Sequence, residues 1–197
     1  YDCRMDFTQN TALVVVDVQN DFADPDGSLS VAGGHAAVPF INQLIETAQA
    51  ASATIVYTRD WHPDTTPHFA KDGGIWPVHC VADTWGADFH PDLVVSGPEI
   101  KKGTGGEDGY SGFSVRDPET GAQSATGLHA LLRDAGISDV VVVGLATDYC
   151  VKETSLDAAQ LGYSTTVPAD GIRPVNLNPG DGARAIAEMV KSGVRVE

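Results

Sequence analysis

Side chains able to do chemistry fall in a few places along this chain. Cys150 follows the apolar run Val140–Val143 in Val-Gly-Leu-Ala-Thr-Asp-Tyr-Cys-Val, with Asp148 placed as a helix N-cap just ahead of it. A cysteine in the first turn of a helix has unpaired backbone N–H groups and the positive dipole end at hand, which stabilise a thiolate nucleophile. The same N–H groups could hold the oxyanion formed when that thiolate attacks a carbonyl. Asp17 ends a second apolar run, Leu13–Val16. A carboxylate at the C-terminal end of a buried parallel strand faces the crevice where open α/β sheets bind ligands. Asp60, His62, His68 and His79 share one irregular stretch. One carboxylate oxygen and three imidazole nitrogens suit Zn, Fe or Mn, with positions left for water or substrate. Plainer alternatives stand beside each reading: Cys150 as a small buried hydrophobe, Asp17 as a cap or loop carboxylate, the histidines as solvated residues of an acidic loop.

The elements that must hold these residues alternate between strand and helix patterns. Thr11–Val18, Thr54–Thr58, Glu99–Lys102, Asp139–Val143, Tyr163–Val167 and Val194–Val196 read as strands, several of them continuous β-branched runs of the kind covered on both faces. A helix after Gly33-Gly34 presents Val38, Ile41, Leu44, Ile45 and Ala48 to the sheet. Thr126–Gly136 reads as a helix with Leu128, Leu131 and Leu132 inward, and the cysteine helix carries Thr154, Ala158 and Leu161. A last helix, Gly180–Ser192, has Ala183, Ile186, Ala187 and Val190 on one face. Such alternation with short turns implies an α/β sheet that is largely parallel. Arg59–His90 is too rich in Pro, Gly, Asp and His to be regular, and loops this long usually have a function. The glycine-rich segment Gly103–Phe113 lacks the Gly-Lys-Ser/Thr ending of a phosphate cradle. Lys101 and Lys102 face opposite sides of their strand, so one of them can point into a crevice. His35, His90 and His129 have no such company and read as surface or core histidines.

At 197 residues the chain is expected to form one domain, 1–197, with about residues 1–10 as a flexible N-terminal tail. Against 12 Lys and Arg stand 27 Asp and Glu, a formal charge of -15 that repels nucleic acid and anionic membrane surfaces. A neutral or cationic small substrate fits better. Cys3, Cys80 and Cys150 are widely spaced, which argues against a disulfide scaffold and for a reducing compartment, the cytoplasm.

Taken in order, Val-Asp17-Val-Gln-Asn-Asp-Phe, Asp60-x-His62 with His68, Trp76-Pro-Val-His79-Cys80, Lys102-Gly, Tyr110-Ser-Gly-Phe113 and Ala-Thr-Asp-Tyr-Cys150-Val resemble the nicotinamidase/pyrazinamidase family of isochorismatase-like cysteine hydrolases. The resemblance runs from about Leu13 to Ala159. It implies a three-layer sandwich with a six-stranded, largely parallel sheet and helices on both faces. It also implies a triad of Asp17, Lys102 and Cys150, with Lys102 chosen over Lys101 because the family places Gly directly after the lysine. By the same carry-over Asp60, His62, His68 and His79 hold one divalent metal ion, Zn first, with Fe or Mn as alternatives. Phe22, Trp76, Tyr110, Leu145 and Tyr149 are assigned to the substrate pocket, and the amides of Ala146 and Cys150 to an oxyanion hole, aimed by a cis peptide between Leu145 and Ala146. The activity so implied is hydrolysis of nicotinamide, and of pyrazinamide, to the acid and ammonia through a thioester on Cys150, as a step of NAD salvage. Members of the superfamily often associate into homo-oligomers.

This sequence departs from the family pattern at Tyr149, where some members have histidine, and in the longer acidic loop Gly105–Gly109. The segment Ala23–Gly27 looks expanded and should border the entrance. Other readings remain: an amidohydrolase of the superfamily acting on ureido or carbamoyl compounds, or a noncatalytic metal- or ligand-binding protein on the same fold. Ureido and carbamoyl substrates often carry a carboxylate that needs an arginine, and none stands among the matched pocket positions.

Overall fold

The structure, a computed structural model, describes residues 5–197. Strands β1 (Thr11–Val16), β2 (Thr54–Asp60), β3 (Glu99–Lys102), β6 (Asp139–Leu145), β7 (Ser164–Val167), β8 (Ile172–Arg173) and β9 (Arg195–Val196) form the main sheet, and β4 (Ser114–Arg116) and β5 (Gln123–Ala125) form a small separate hairpin. The main sheet runs β3-β2-β1-β6-β7-β9, with β8 also paired to β6, and its ladders are all parallel. It has one strand more than expected. Ile172–Arg173 extends the ladder beside Gly144 and Leu145, and two residues are too few to show a periodic pattern.

Alternation along the strands divides two cores. Leu13, Val15, Ile55, Tyr57, Val141 and Val143 pack with helix α2 (Gly34–Ala50), whose Val38, Ile41, Leu44, Ile45 and Ala48 are all buried as expected. On the other face Val14, Val16, Val56, Val140 and Val142 meet Leu128 and Leu132 of α3 (Leu128–Asp134), Ala158 of α4 (Lys152–Gln160) and Met189 of α5 (Asp181–Lys191). Removing each such valine, leucine, isoleucine or methionine side chain from water contributes about 1.5–3 kcal/mol. Helix α1 (Asn20–Ala23) is a single turn after β1.

Two expected faces are corrected. On α5 the buried residues are Gly182, Ala185 and Met189, while Val190 is 53% exposed. A Cβ at Gly182 would come 2.7 Å from that of Pro174, so the helix lies closest where its side chains are smallest, one position away from the stripe that apolarity marks. Leu161, expected inward, is 44% exposed beyond the last turn of α4. At the N-terminus, residues 1–4 of the segment read as a tail, Cys3 among them, lie outside the described residues; Phe7 is buried in the α2-side core. No helix among the described residues is long and apolar enough to cross a membrane.

The chain leaves β1 to build β2 and β3 on one side, then crosses to β6 on the other, so a topological switch point lies between β1 and β6. Parallel strands put their C-terminal ends on one rim, and ligands of such sheets bind at that point of the rim. Asp17 follows β1, Asp60 ends β2, Lys102 ends β3 and Ala146 follows β6. At the crossover β1 and β6 come so close that a Cβ on Gly144 would meet the Val16 carbonyl at 2.0 Å.

Candidate active site

Asp17, Lys102 and Cys150 converge on that rim. Lys102 Nζ lies 2.7 Å from Asp17 Oδ2 and donates to Cys150 Sγ at 3.7 Å. It also donates to Asp60 Oδ1 and to the Gly109 carbonyl. Thr58 Oγ1 donates to Asp17 Oδ1 at 2.7 Å, fixing the carboxylate from the neighbouring strand. The strand pleat settles which lysine enters. Lys101 points outward with its Nζ 3.6 Å from the centre of the Trp61 ring, while Lys102 is buried.

Cys150 sits in a wide turn, Thr147–Val151, that feeds α4, with Val151 N–H donating back to the Ala146 carbonyl. Asp148 does not cap this turn. Its carboxylate oxygens accept from Val175 N–H and Asn176 N–H, both at 2.8 Å, and so tie the turn to the segment before α5. The thiol also departs from expectation. Burial pushes it well above its ordinary value; Lys102 opposes this and the Asp17 and Asp60 carboxylates add to it. Burial likewise raises Asp17 above the usual carboxylate range despite Lys102. For Lys102 burial works against the charge, yet Asp17, Asp60 and Cys150 outweigh it and hold the ammonium well above its usual value. The resting group is therefore a thiol beside an acceptor of raised basicity, in place of the standing thiolate that a first-turn position suggests.

The histidines of the irregular loop close over the same rim. Ligating atoms of His62, His68 and His79 lie within 4.8 Å of one another, and Asp60 Oδ2 is 3.7 Å from His62 Nε2 and 3.9 Å from His79 Nε2. His79 Nδ1–H donates to the Pro77 carbonyl at 2.7 Å and His68 Nδ1–H to Asp108 Oδ1 at 2.8 Å. Those acceptors fix the tautomers and leave each Nε2 with a free lone pair, as in metal-binding histidines. Burial pushes His79 down to about 4, keeping it neutral, and lowers His68 as well. His62 is fully buried, and neither ring nitrogen has a hydrogen-bond partner among the described residues. Such orphaned atoms are costly unless something binds them, so the residues fit a divalent metal ion.

Beside both groups opens a small cavity whose lining includes Phe22, Trp76, Tyr110, Ala146, Tyr149 and Cys150. Trp76 Nε1–H donates to the Tyr110 hydroxyl at 2.8 Å, and Tyr149 meets Trp76 edge-on at 4.8 Å between ring centres. Leu145 does not line this cavity. Strand alternation turns it to the α2 face with Val141 and Val143. The Leu145–Ala146 peptide is cis.

The isochorismatase domain family model matches residues 11–197. The chain belongs to the isochorismatase family. Among relatives, it is 38% identical to the nicotinamidase of Escherichia coli K12, over 92% of each chain. The pyrazinamidase of Pyrococcus horikoshii in complex with zinc superposes with a TM-score of 0.84 at 38% identity, covering 95% of this chain and 98% of that one. The L. infantum protein PnC1 in complex with nicotinate gives a TM-score of 0.88 at 33% identity, covering 98% and 95%.

Two residues of this isochorismatase-family site escape a reading by chemical type. Gln19 is buried and holds the end of β2, donating to the Asp60 carbonyl at 2.8 Å and accepting from Asp60 N–H at 2.8 Å. Asp21 Oδ2 accepts from Cys80 N–H at 2.7 Å, anchoring the chain next to His79. Both lie in Val-Gln-Asn-Asp-Phe, a run too polar for the core of an ordinary strand end, and that is the signal that could have found them.

Proposed function

We propose that this protein is a metal-dependent cysteine amidohydrolase that converts nicotinamide, and also pyrazinamide, to the corresponding acid and ammonia. The observation that carries the reading is the Asp17–Lys102–Cys150 cluster opening into an aromatic-walled cavity beside the histidines. Nicotinamidase and pyrazinamidase relatives that match nearly the whole chain support the same substrate class.

Asp17 takes the proton from Cys150 Sγ, and the sulfur forms a bond to the carboxamide carbon. Lys102 holds its positive charge throughout, offsetting the negative charge as it moves between Asp17 and sulfur. The amides of Ala146 and Cys150 receive the oxyanion. Asp17 then gives its proton to the leaving nitrogen as the C–N bond breaks, which releases ammonia and leaves a thioester. Water attacks that carbonyl with its proton passing to Asp17. The C–S bond breaks, the acid leaves, and the proton returns to sulfur. Asp60, His62, His68 and His79 would hold a divalent metal ion, which would supply a Lewis acid beside the cavity. Phe22, Trp76, Tyr110 and Tyr149 bind the ring by flat apolar contact.

Ammonia release from nicotinamide by the purified protein tests this as isolated, after chelation, and after return of Zn, Fe or Mn. Release that falls on chelation and returns with metal is expected. Absence of release with every metal would discard nicotinamide as the substrate.

A further inference from the structure

The acidic loop between Lys102 and Tyr110 touches both halves of the site. Asp108 Oδ1 accepts from His68 Nδ1–H at 2.8 Å, while the carbonyl of the next residue, Gly109, accepts from Lys102 Nζ. The backbone of Asp108 is itself pinned. Its N–H donates to the Arg116 carbonyl at 2.8 Å and its carbonyl accepts from Arg116 N–H at 2.9 Å, so the β4–β5 hairpin fixes where the carboxylate starts. Two residues earlier, the Gly106 carbonyl accepts from Thr66 Oγ1 at 2.9 Å, and that oxygen accepts from His68 N–H at 3.2 Å. His68 is thus held from its ring and from its backbone by one short loop.

The geometry points to Asp108 as a positioning residue. It fixes the tautomer and plane of His68 so that Nε2 is left free to ligate, and through Gly109 it ties the histidine cluster to the ammonium group of Lys102. A carboxylate can only accept, so its bond commits the Nδ1 proton and leaves Nε2 as the lone pair. A surface ion pair would have little effect, but His68 has a side chain 5% exposed and the partner carboxylate reaches in from a fixed backbone. The inference rests on the proposed metal centre and is independent of nicotinamide as substrate.

The test reads metal in place of turnover, so failure of nicotinamide hydrolysis leaves it intact. After chelation, Zn²⁺ affinity is measured by competition with a chromophoric chelator, and the Co²⁺-loaded protein by its absorption spectrum. In Asp108→Ala the Zn²⁺ affinity is expected to fall about 10- to 100-fold, the range for lost partners of ligating histidines. The Co²⁺ spectrum changes, and the metal-free form unfolds at the temperature of the metal-free parent. Asp108→Asn, whose amide oxygen still accepts from Nδ1–H, recovers part of the affinity. Unchanged affinity and spectrum in Asp108→Ala overturn the proposal. So does a metal-free Asp108→Ala protein destabilised relative to its parent when Asp108→Asn recovers no affinity, because the carboxylate would then serve the loop alone.

Discussion

Lys102 Nζ stands 2.7 Å from Asp17 Oδ2, with both side chains wholly buried. The same ammonium group faces Asp60, so one cation serves two buried carboxylates. Lys102→Met preserves bulk and removes that charge. Breaking a buried pair costs about 3–5 kcal/mol because the partner is left uncompensated. Urea unfolding of the metal-free variant should show a loss of that size; a loss below about 1 kcal/mol would mean that the carboxylates are neutral without the lysine.

Cys150→Ala and Asp17→Asn separate bond formation from proton transfer. The first should abolish ammonia release while leaving the fold intact by circular dichroism. The second keeps shape but cannot accept the thiol proton, and removal of a general base lowers kcat by about 10²- to 10⁴-fold. Appreciable turnover by Cys150→Ala would sink the thioester route.

The pH dependence follows from the same burial. The proposed reaction needs Asp17 as the carboxylate, and burial raises its pKa above 3.8, so activity should be lost as pH falls through that raised value. Burial holds the Cys150 thiol well above 9.0, so it keeps its proton and adds no alkaline limb below that value. With metal in excess, kcat/KM should therefore rise from an acid limb above 3.8 to a plateau through neutrality. An acid limb at or below 3.8 would mean that burial does not raise Asp17.

Much of this site was legible because its residues combine unusual type with a strand end. Asp17 stops an apolar run, Asp60 and Lys102 are the last residues of their strands, and parallel strands deliver their ends to one rim. What stayed hidden depends on contacts between distant segments. Asp108 looked like loop acidity, yet its meaning comes from His68, which is 40 positions away. Asp148 had the type and spacing of a cap, but the wide turn at Thr147–Val151 frees it for Val175 and Asn176. Leu145 was assigned to the pocket by resemblance, and the pleat turned it away. On α5 the closest approach is made by Gly182, which a search for apolar side chains passes over.

Gly103 carries a steric prediction for the metal. Its φ is 74°, and a Cβ there would lie 2.6 Å from His62 Cε1. Gly103→Ala must therefore shift either the His62 ring or the loop that follows Lys102. Weaker Zn²⁺ retention on dialysis, and ammonia release that recovers with added Zn²⁺, are expected. Retention equal to that of the parent would mean that the ring is not fixed from this side.

Charge should decide between neutral and anionic amides. Among the described residues, no lysine or arginine lines the cavity, whereas Asp60 does. The ammonium group of Lys102 lies behind the wall, committed to Asp17, Asp60 and the Gly109 carbonyl. A substrate carboxylate would thus be buried among aromatic rings without an organic cation to meet it. An unpaired buried charge costs about 3–5 kcal/mol, and each 1.4 kcal/mol is about tenfold in binding. Nicotinamide and pyrazinamide should therefore exceed maleamic acid and N-carbamoyl amino acids by about 10²-fold or more in kcat/KM. Competition assays with ammonia and product detection measure that ratio directly. Comparable rates for the anionic amides would show that the metal centre receives carboxylates, and would move the assignment to the ureido and carbamoyl class.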